Sequence, residues 1–411
     1  MPNNTLEKWE EKQLKDICDF HNGLWTGKKE PFIECNVIRN ANFTKDFKLN
    51  YDNVVKINVE ERQFQTRELE YGDLILEKSG GGPNQPVGRV VIFDKHEKGY
   101  SFSNFTSSIR IKNKDILDFR FLYLYLCHCY LSGMTTKMQK NSTGIRNLLF
   151  DDYKNIYVPI PNINEQQQIV KILDEAFENI EKAKQNALQN LNNAKELFEN
   201  CIEDNFTKLA KSYPVKTLSD IAVIKGGKRL PKGQKLTKEI TLHPYLRVTD
   251  FTIDGTINTD DLHYISDNIY EQIKNYTITS KDLYITIVGT IGKSGIIPKE
   301  LDGANLTENA CKLIFNNDVC NKYVYYFTKT KSFNEQSFGN TKITAVPKLA
   351  LTRLATIKLP ISSVPEQQKI VQQLDELQEQ TKKLEQIYEQ KIKDLDELKQ
   401  SILQKAFNGE L

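Results

Sequence analysis

Six basic side chains, Lys225, Lys228, Arg229, Lys232, Lys235 and Lys238, fall within residues 224–238, and no acid lies among them. Lys and Arg neutralise phosphates, and Arg can meet a guanine edge through two hydrogen bonds. Gly226, Gly227 and Gly233 in the same run let a backbone come close to a ligand. The chemistry on offer is nucleic-acid binding; a solvated surface loop is the other reading. A second stretch, residues 76–89, reads Leu-Glu-Lys-Ser-Gly-Gly-Gly-Pro-Asn-Gln-Pro-Val-Gly-Arg. Lys78, Ser79, Gly80, Gly81 and Gly82 precede Asn84 and Gln85, whose amides suit an adenine edge, and Arg89 follows. Its alternative is a strand-connecting turn. No Gly-Lys-Ser/Thr closes the run, so it is not a P-loop.

Catalytic signatures are missing. The sequence holds no Gly-x-Ser-x-Gly, no His-Glu-x-x-His and no Asn/Asp-Pro-Pro-Tyr/Phe. No carboxylate pair is followed by the Glu-x-Lys of common nucleases. Cys127-His-Cys129 invites a metal reading, but two thiols inside an apolar run without a second pair read as core residues. His21, His96, His243 and His263 show no ligand spacing. Binding is favoured over chemistry.

These loops need a frame, and the frame is a repeat. Residues 158–175 and 359–376 align without a gap, with 10 of 18 positions identical, including Glu165-Gln-Gln and Glu366-Gln-Gln. The offset of 201 still holds where Phe206 matches Phe407. In the first copy Leu173, Ala176, Ile180, Ala183 and Ala187 step by threes and fours, and Ala194, Leu197 and Cys201 follow. In the second, Leu374, Leu377, Leu384, Tyr388, Leu395 and Leu398 keep the rhythm. That period predicts coiled-coil helices of about 42 residues, roughly 60 Å each. Ser363 and Pro365 suit a helix start, and Asn408-Gly409 a stop. Asn190 and Lys391 occupy equivalent places and read as polar interruptions of the seam, either fixing register or solvating it locally.

The chain has 411 residues, enough for two or three domains, with 39% apolar and 27% charged residues and a net charge of +2. Any basic surface must therefore be local. Seven cysteines without a C-x-x-C, behind a polar N-terminus with no signal peptide, predict free thiols and a cytoplasmic protein. The apolar run 119–131 is too short to span a membrane and reads as a buried helix. The order expected is a recognition globule over residues 1–157, a helix over 158–210, a second globule over 211–358 and a second helix over 359–411. A short opening helix over 14–20 and strands over 32–39, 54–58, 73–77 and 87–93 are predicted in the first globule. The second globule repeats the pattern at offsets of 201–209: Arg247 matches Arg39, Asp282 matches Asp73, Lys293 matches Arg89, Asn305 matches Asn104 and Tyr325 matches Tyr123. The fold class is α+β: two α+β recognition domains separated by two long antiparallel helices, with approximate two-fold symmetry and the termini brought together.

This arrangement resembles the specificity (S) subunits of type I restriction-modification enzymes. The resemblance covers essentially the whole chain and rests on the two segments Pro159 to Asp174 and Pro360 to Asp375, each following a variable globule. Ser362 replaces Pro161 in the second copy, a minor departure. The resemblance implies a non-catalytic subunit in which each globule reads half of a split site in double-stranded DNA and the helices set the gap. It implies two methyltransferase subunits that methylate adenine and two restriction subunits. S-adenosylmethionine, ATP and Mg would sit on those partners, with no cofactor on this chain and no membrane involved. Individual base readers do not carry over, because these loops vary. Residue type and repeat-equivalent position add Lys28, Lys29, Arg39, Arg146, Arg247 and Lys293 to the two loops as candidate DNA contacts. A coiled-coil adaptor that ignores DNA, or a stand-alone DNA-binding regulator, are the competing readings.

Overall fold

A computed structural model describes residues 9–82, 85–142, 144–339 and 348–411. It divides into two compact units, Met1–Ala187 with Gln390–Leu411, and Leu188–Glu389. The divisions cut through both long helices, because each half of a long helix is buried in a different core.

Unit 1 runs β1 (Glu10–Gln13), α1 (Leu14–Ile17), β2 (Cys18–Asn22), β3 (Phe32–Ile38), β4 (Val55–Glu60), α2 (Glu61–Gln65), β5 (Leu74–Glu77), β6 (Ser79–Gly81), β7 (Val90–Ile92), β8 (Tyr100–Phe102) and β9 (Thr106–Ile111). Then come α3 (Phe119–Leu131), β10 (Gln139–Ser142), β11 (Ile145–Leu148), α4 (Phe150–Lys154), β12 (Tyr157–Ile160) and α5 (Ile163–Ser212), whose second half belongs to unit 2. The central sheet is β2-β9-β5-β7, all antiparallel. Period-two alternation gives it two apolar faces. Leu74, Leu76, Val90 and Ile109 face a core shared with α3 and the long helices, while Ile75 and Val91 face Ile38, Phe93 and Phe102 of the β4-β3-β8 side. Helix α3 is apolar nearly all round, which suits burial. Its cap is Asp118, whose carboxylate accepts from the N–H groups of Arg120 and Phe121 at 2.8 and 3.0 Å.

Unit 2 repeats the plan with β13 (Val215–Thr217), α6 (Leu218–Ile221), β14 (Ala222–Gly226), β15 (Pro244–Leu246), β16 (His263–Tyr264), α7 (Asp267–Ile273), β17 (Thr277–Ile278) and β18 (Leu283–Thr286). It continues with β19 (Ser294–Gly295), β20 (Ala304–Leu306), β21 (Ala310–Phe315), α8 (Asn321–Phe327), α9 (Lys331–Phe338), α10 (Leu351–Ala355), β22 (Lys358–Pro360) and α11 (Val364–Phe407), whose last part returns to unit 1. The sheet β14-β21-β18-β19 corresponds to β2-β9-β5-β7, and the pair β13-β22 to β1-β12.

Helices of 50 and 44 residues replace the expected 42. Within unit 1, Lys184 pairs with Asp396 at 2.7 Å and Lys399 lies over the Phe177 ring at 5.0 Å. Numbers rise on α5 as they fall on α11, so the two segments are antiparallel there. Within unit 2, Ile202, Phe206 and Leu209 near the end of α5 share a core with Ile370, Val371 and Leu374 near the start of α11, the same sense. Burial follows Leu173, Ile180, Ala187 and Ala194 on α5, and Leu374 and Thr381 on α11, with Tyr388 and Leu395 partly buried farther along the same row. Ala176, Ala183 and Leu377 flank this row and are partly buried.

The same flanking row also holds Leu384, Leu398 and Leu197, which are exposed, together with Asn190 and Lys391. The expectation that Leu384 and Leu398 lie in the seam is therefore corrected, and of the two readings of Asn190 and Lys391 their exposure fits local solvation. A leucine one place off the seam keeps its seven-residue spacing, and spacing alone cannot separate adjacent rows. Within this row of α11 the buried polar residue is Thr381, whose hydroxyl returns to the carbonyl of Leu377.

The Glu-Gln-Gln segments anchor the helices. Gln166 is fully buried: its amide nitrogen donates to the carbonyls of Ile116 and Pro161, and its oxygen accepts from Asp118 N–H, at 2.8–2.9 Å. Gln367 repeats this with Asp318, Ser362 and Cys320. At the far ends, Phe407 packs on Phe121 and Tyr125 of α3, and Phe206 on Tyr323 and Phe327 of α8. No helix among the described residues is long and apolar enough to cross a membrane.

Candidate nucleic-acid interface

The glycine run of unit 1 becomes a strand. β6 pairs with β11 in the three-stranded sheet β10-β11-β6, with Arg146 opposite Gly81. Residues with no side chain and no alternation gave no strand signal; the pairing comes from the β10–β11 hairpin. The candidates Lys78, Ser79, Gly80 and Gly81 are thus brought together with Arg146. The Ser79 hydroxyl donates to Asn147 Oδ1 at 2.5 Å, and the Asn40 amide to the Ser79 carbonyl. Gly80 has φ +99°, which favours glycine, and a Cβ at Gly82 would meet open space. Gln85 is exposed and its carbonyl accepts from Gly82 N–H; Asn84 lies outside the described residues.

Lys78 is half-buried beside a second lysine that sequence spacing did not bring forward. Its ammonium donates to Asn22 Oδ1 at 2.5 Å and lies 5.1 Å from the Phe150 ring centroid; Lys154 lies 4.3 Å from the same centroid. Burial pushes the Lys78 ammonium below its usual pKa, and the charge on Lys154 adds to that. Lys28 and Lys29 are exposed, and their backbone N–H groups point into the Glu60 carboxylate at 2.5 and 2.7 Å, holding its pKa low. Trp25, 65% exposed, starts the same turn.

Arg89 leaves the candidate set. It is 7% exposed and both sides of its guanidinium fork go to Glu77, at 2.7 and 3.1 Å. Arg247 is committed to Asp250 at 2.6 Å and donates to the Asp261 carbonyl. Its counterpart Arg39 takes Asn42 Oδ1 on its backbone N–H and gives its guanidinium to the Asn53 carbonyl. Lys293 donates to the Phe251 carbonyl at 3.3 Å. These four brace loops, and their recurrence at equivalent positions marks scaffold.

In unit 2, β14 ends at Gly226. A Cβ on Gly227 would lie 2.0 Å from the Thr307 carbonyl, so the chain passes there only as glycine. All six basic residues of 224–238 are exposed. Arg229 pairs with Glu308 and Lys238 with Asp261, both at 2.8 Å, and Lys228 lies 5.4 Å from the Tyr276 ring centroid. Among the described residues, Lys225, Lys232 and Lys235 carry no ion pair. A pocket of about 200 Å³ opens here, lined by Lys225, Gly226, Gly227, Asn275, Tyr276, Thr277, Leu306 and Lys312. In unit 1 the place of Tyr276 is taken by Arg67, whose Nε donates to the Asn22 carbonyl at 2.7 Å. An open basic pocket in one unit thus corresponds to an arginine contact in the other. Tyr276 carried no signal in sequence, since α7 brings it to Lys225 from fifty residues away. Cys127 and Cys129 lie buried in α3, with thiols pushed up to about 12 by burial.

One register is corrected. Gly227 meets Thr307 as Gly23 meets Ser103, so Thr307 corresponds to Ser103 at an offset of 204, and Asn305 does not match Asn104.

The model of the type I restriction modification DNA specificity domain matches residues 6–190 and again 211–394. The chain is 27% identical over 167 residues to the type I restriction enzyme EcoBI specificity subunit of Escherichia coli, covering 40% of this chain and 35% of that protein. It is 25% identical over 279 residues to the putative specificity subunit S.HindORF215P of Haemophilus influenzae, 65% of this chain and 66% of the other. The chain thus spans about a third and about two-thirds of the lengths of these two relatives. Over 391 residues it is 22% identical to the putative MjaX specificity subunit of Methanocaldococcus jannaschii, 90% of this chain and 86% of that one. In fold, it is similar to a chain from a type I R-M system structure, with TM-score 0.78, 17% identity and all of both chains covered. The HsdS subunit of Thermoanaerobacter tengcongensis aligns with TM-score 0.61 and 18% identity over 100% of this chain and 99% of that one.

Proposed function

We propose, from the premise that this chain belongs to the type I restriction modification DNA specificity family, that each unit reads one half of a two-part DNA site. The length of helix between the readers would set the number of unread base pairs. The observation that carries this is the pairing of one scaffold with two loop chemistries. The anchors agree from Gln166 and Phe407 to Gln367 and Phe206, while the basic loops do not. Variable loops on a fixed frame suit recognition of two different targets. On this reading the chain catalyses nothing itself. It works in the cytoplasm with methyltransferase and restriction subunits, and S-adenosylmethionine, ATP and Mg are held by those partners.

The test is an exchange. Residues 211–358 are replaced by those of a relative, and adenine methylation is mapped across the genome of cells carrying the system. The expected outcome is a split motif in which one half changes and the other half and the gap persist. A contiguous motif, or a change in both halves, would overturn the reading.

A further inference from the structure

We propose that Lys78 and Lys154 form a clamp for one phosphate of the DNA backbone, present in unit 1 and absent from unit 2. This rests on the reading of unit 1 as a DNA reader. Two ammonium groups share one ring, Lys78 at 5.1 Å and Lys154 at 4.3 Å from the Phe150 centroid. Among the described residues no carboxylate pairs with Lys78, and Lys154 has only Asp151 at 3.3 Å, whose side chain is 93% exposed. The charge on Lys154 is felt at Lys78; like charges near one half-buried site repel, and an anion shared by both relieves the repulsion. Burial first, and the charge on Lys154 second, hold the Lys78 ammonium below its usual pKa, and a bound anion would oppose both.

The same place in unit 2 has the opposite chemistry. Lys78 N–H donates to Phe105 and the Lys78 carbonyl accepts from Leu148; Ile287 does the same with Asn309 and Leu349. Ile287 is therefore the counterpart of Lys78. On the short helices α4 and α10, Leu351 replaces Phe150 and Ala355 replaces Lys154. Since the fold closes that corner with apolar residues in unit 2, the lysines of unit 1 are not required by the fold. Lys78 also directly precedes β6, so a phosphate fixed there would position the Gly81–Arg146 strip against a groove.

The experiment transplants the unit 2 residues as K78I/K154A into the full chain, purified from its own cells in the complex it forms. Duplex affinity is followed against salt concentration for the parent, K78I/K154A and K78R/K154R. The expected result is a log–log salt slope shallower by about 1 for K78I/K154A. Affinity should fall by the same factor on cognate and unrelated duplexes, as for a backbone contact, with K78R/K154R close to the parent. An unchanged slope at full affinity in K78I/K154A overturns the clamp alone, as does a loss confined to the cognate duplex. A parent that binds no duplex overturns the reading beneath it and the clamp with it. The parent's melting profile, retained in K78I/K154A, separates lost binding from lost folding.

Discussion

Where the inner strand of each central sheet ends, the two units close the corner differently. In unit 1, β5 ends on Glu77, 1% exposed and paired with Arg89 at 2.7 Å. In unit 2, β18 ends on Thr286, whose hydroxyl donates to the Thr290 carbonyl, while Lys293, at the place of Arg89, reaches the Phe251 carbonyl. One unit buries two charges and the other a hydroxyl, on the same strand end. A buried ion pair stands only while both members are present, because either charge alone is left desolvated. The lesson is that the scaffold tolerates different chemistry at its loop roots, provided each solution is internally complete.

The largest expected effect breaks that completeness. Arg89→Met leaves Glu77 buried without a partner and is expected to cost about 3–5 kcal/mol. Lys293→Met removes one long hydrogen bond at a partly exposed site and is expected to cost about 1 kcal/mol. Urea unfolding of the two variants checks the difference. The double change Glu77→Thr with Arg89→Lys, borrowing the unit 2 solution, should recover most of what Arg89→Met loses. Equal losses in Arg89→Met and Lys293→Met would mean that the two corners are not different devices.

A smaller contrast lies along α3 and just past the end of α8. Cys127 in unit 1 and Lys329 in unit 2 each sit four residues beyond an equivalent tyrosine, Tyr123 and Tyr325. Burial pushes the Cys127 thiol from 9.0 up to about 12 and the Lys329 ammonium from 10.5 down to about 8, with Asp254 opposing the latter. The signs differ. Above pH 9 the unfolded chain loses the Cys127 proton that the folded one keeps, so stability from Cys127 falls as pH rises toward 12. Between pH 8 and 10.5 the unfolded chain keeps the Lys329 proton that the folded one sheds, so stability rises there. Subtracting the Cys127→Ala profile from the parent should give a falling curve, and subtracting Lys329→Met a rising one. Each should span on the order of 1–3 kcal/mol. Unfolding midpoints measured across these windows decide it, and two curves of the same sign would contradict the burial assigned to one of the groups.

The parts legible in sequence share one property: they recur. The offset, the existence of two long helices and their antiparallel sense all follow from a pattern long enough to be read without knowing what touches what. The misread parts depend on partners far away in the chain. Glu77 and Arg89 stand at either end of a glycine-rich loop, and nothing in their spacing says that the loop folds their side chains together. Gln166 is visible as an identity between repeats, yet its role as acceptor for Asp118 and donor to Ile116 needs a segment nearly fifty residues earlier. Ser79–Gly81 has no alternation, so only its neighbour makes it a strand. Lys154 is one lysine in a short helix until Phe150 sets it beside Lys78.

The smallest expected effect tests the seam itself, where sequence and structure disagreed by one row. Leu398 is 46% exposed, while Leu395, three residues earlier, is partly buried in the row of Leu374 and Thr381. Both are leucines on the same helix with the same intrinsic propensity, so burial alone separates them. Leu398→Lys changes a solvated flank and should move stability by no more than about 0.5 kcal/mol. Leu395→Lys drives a charge into the row that meets α5 and should cost several times as much. The counterpart of Leu398 is Leu197 at an offset of 201, and it is exposed as well, so Leu197→Lys should be equally mild. Thermal unfolding of the three variants ranks them. If Leu398→Lys and Leu197→Lys were as damaging as Leu395→Lys, the buried row would lie where the leucine spacing first suggested, and the flanking assignment would be wrong in both helices at once.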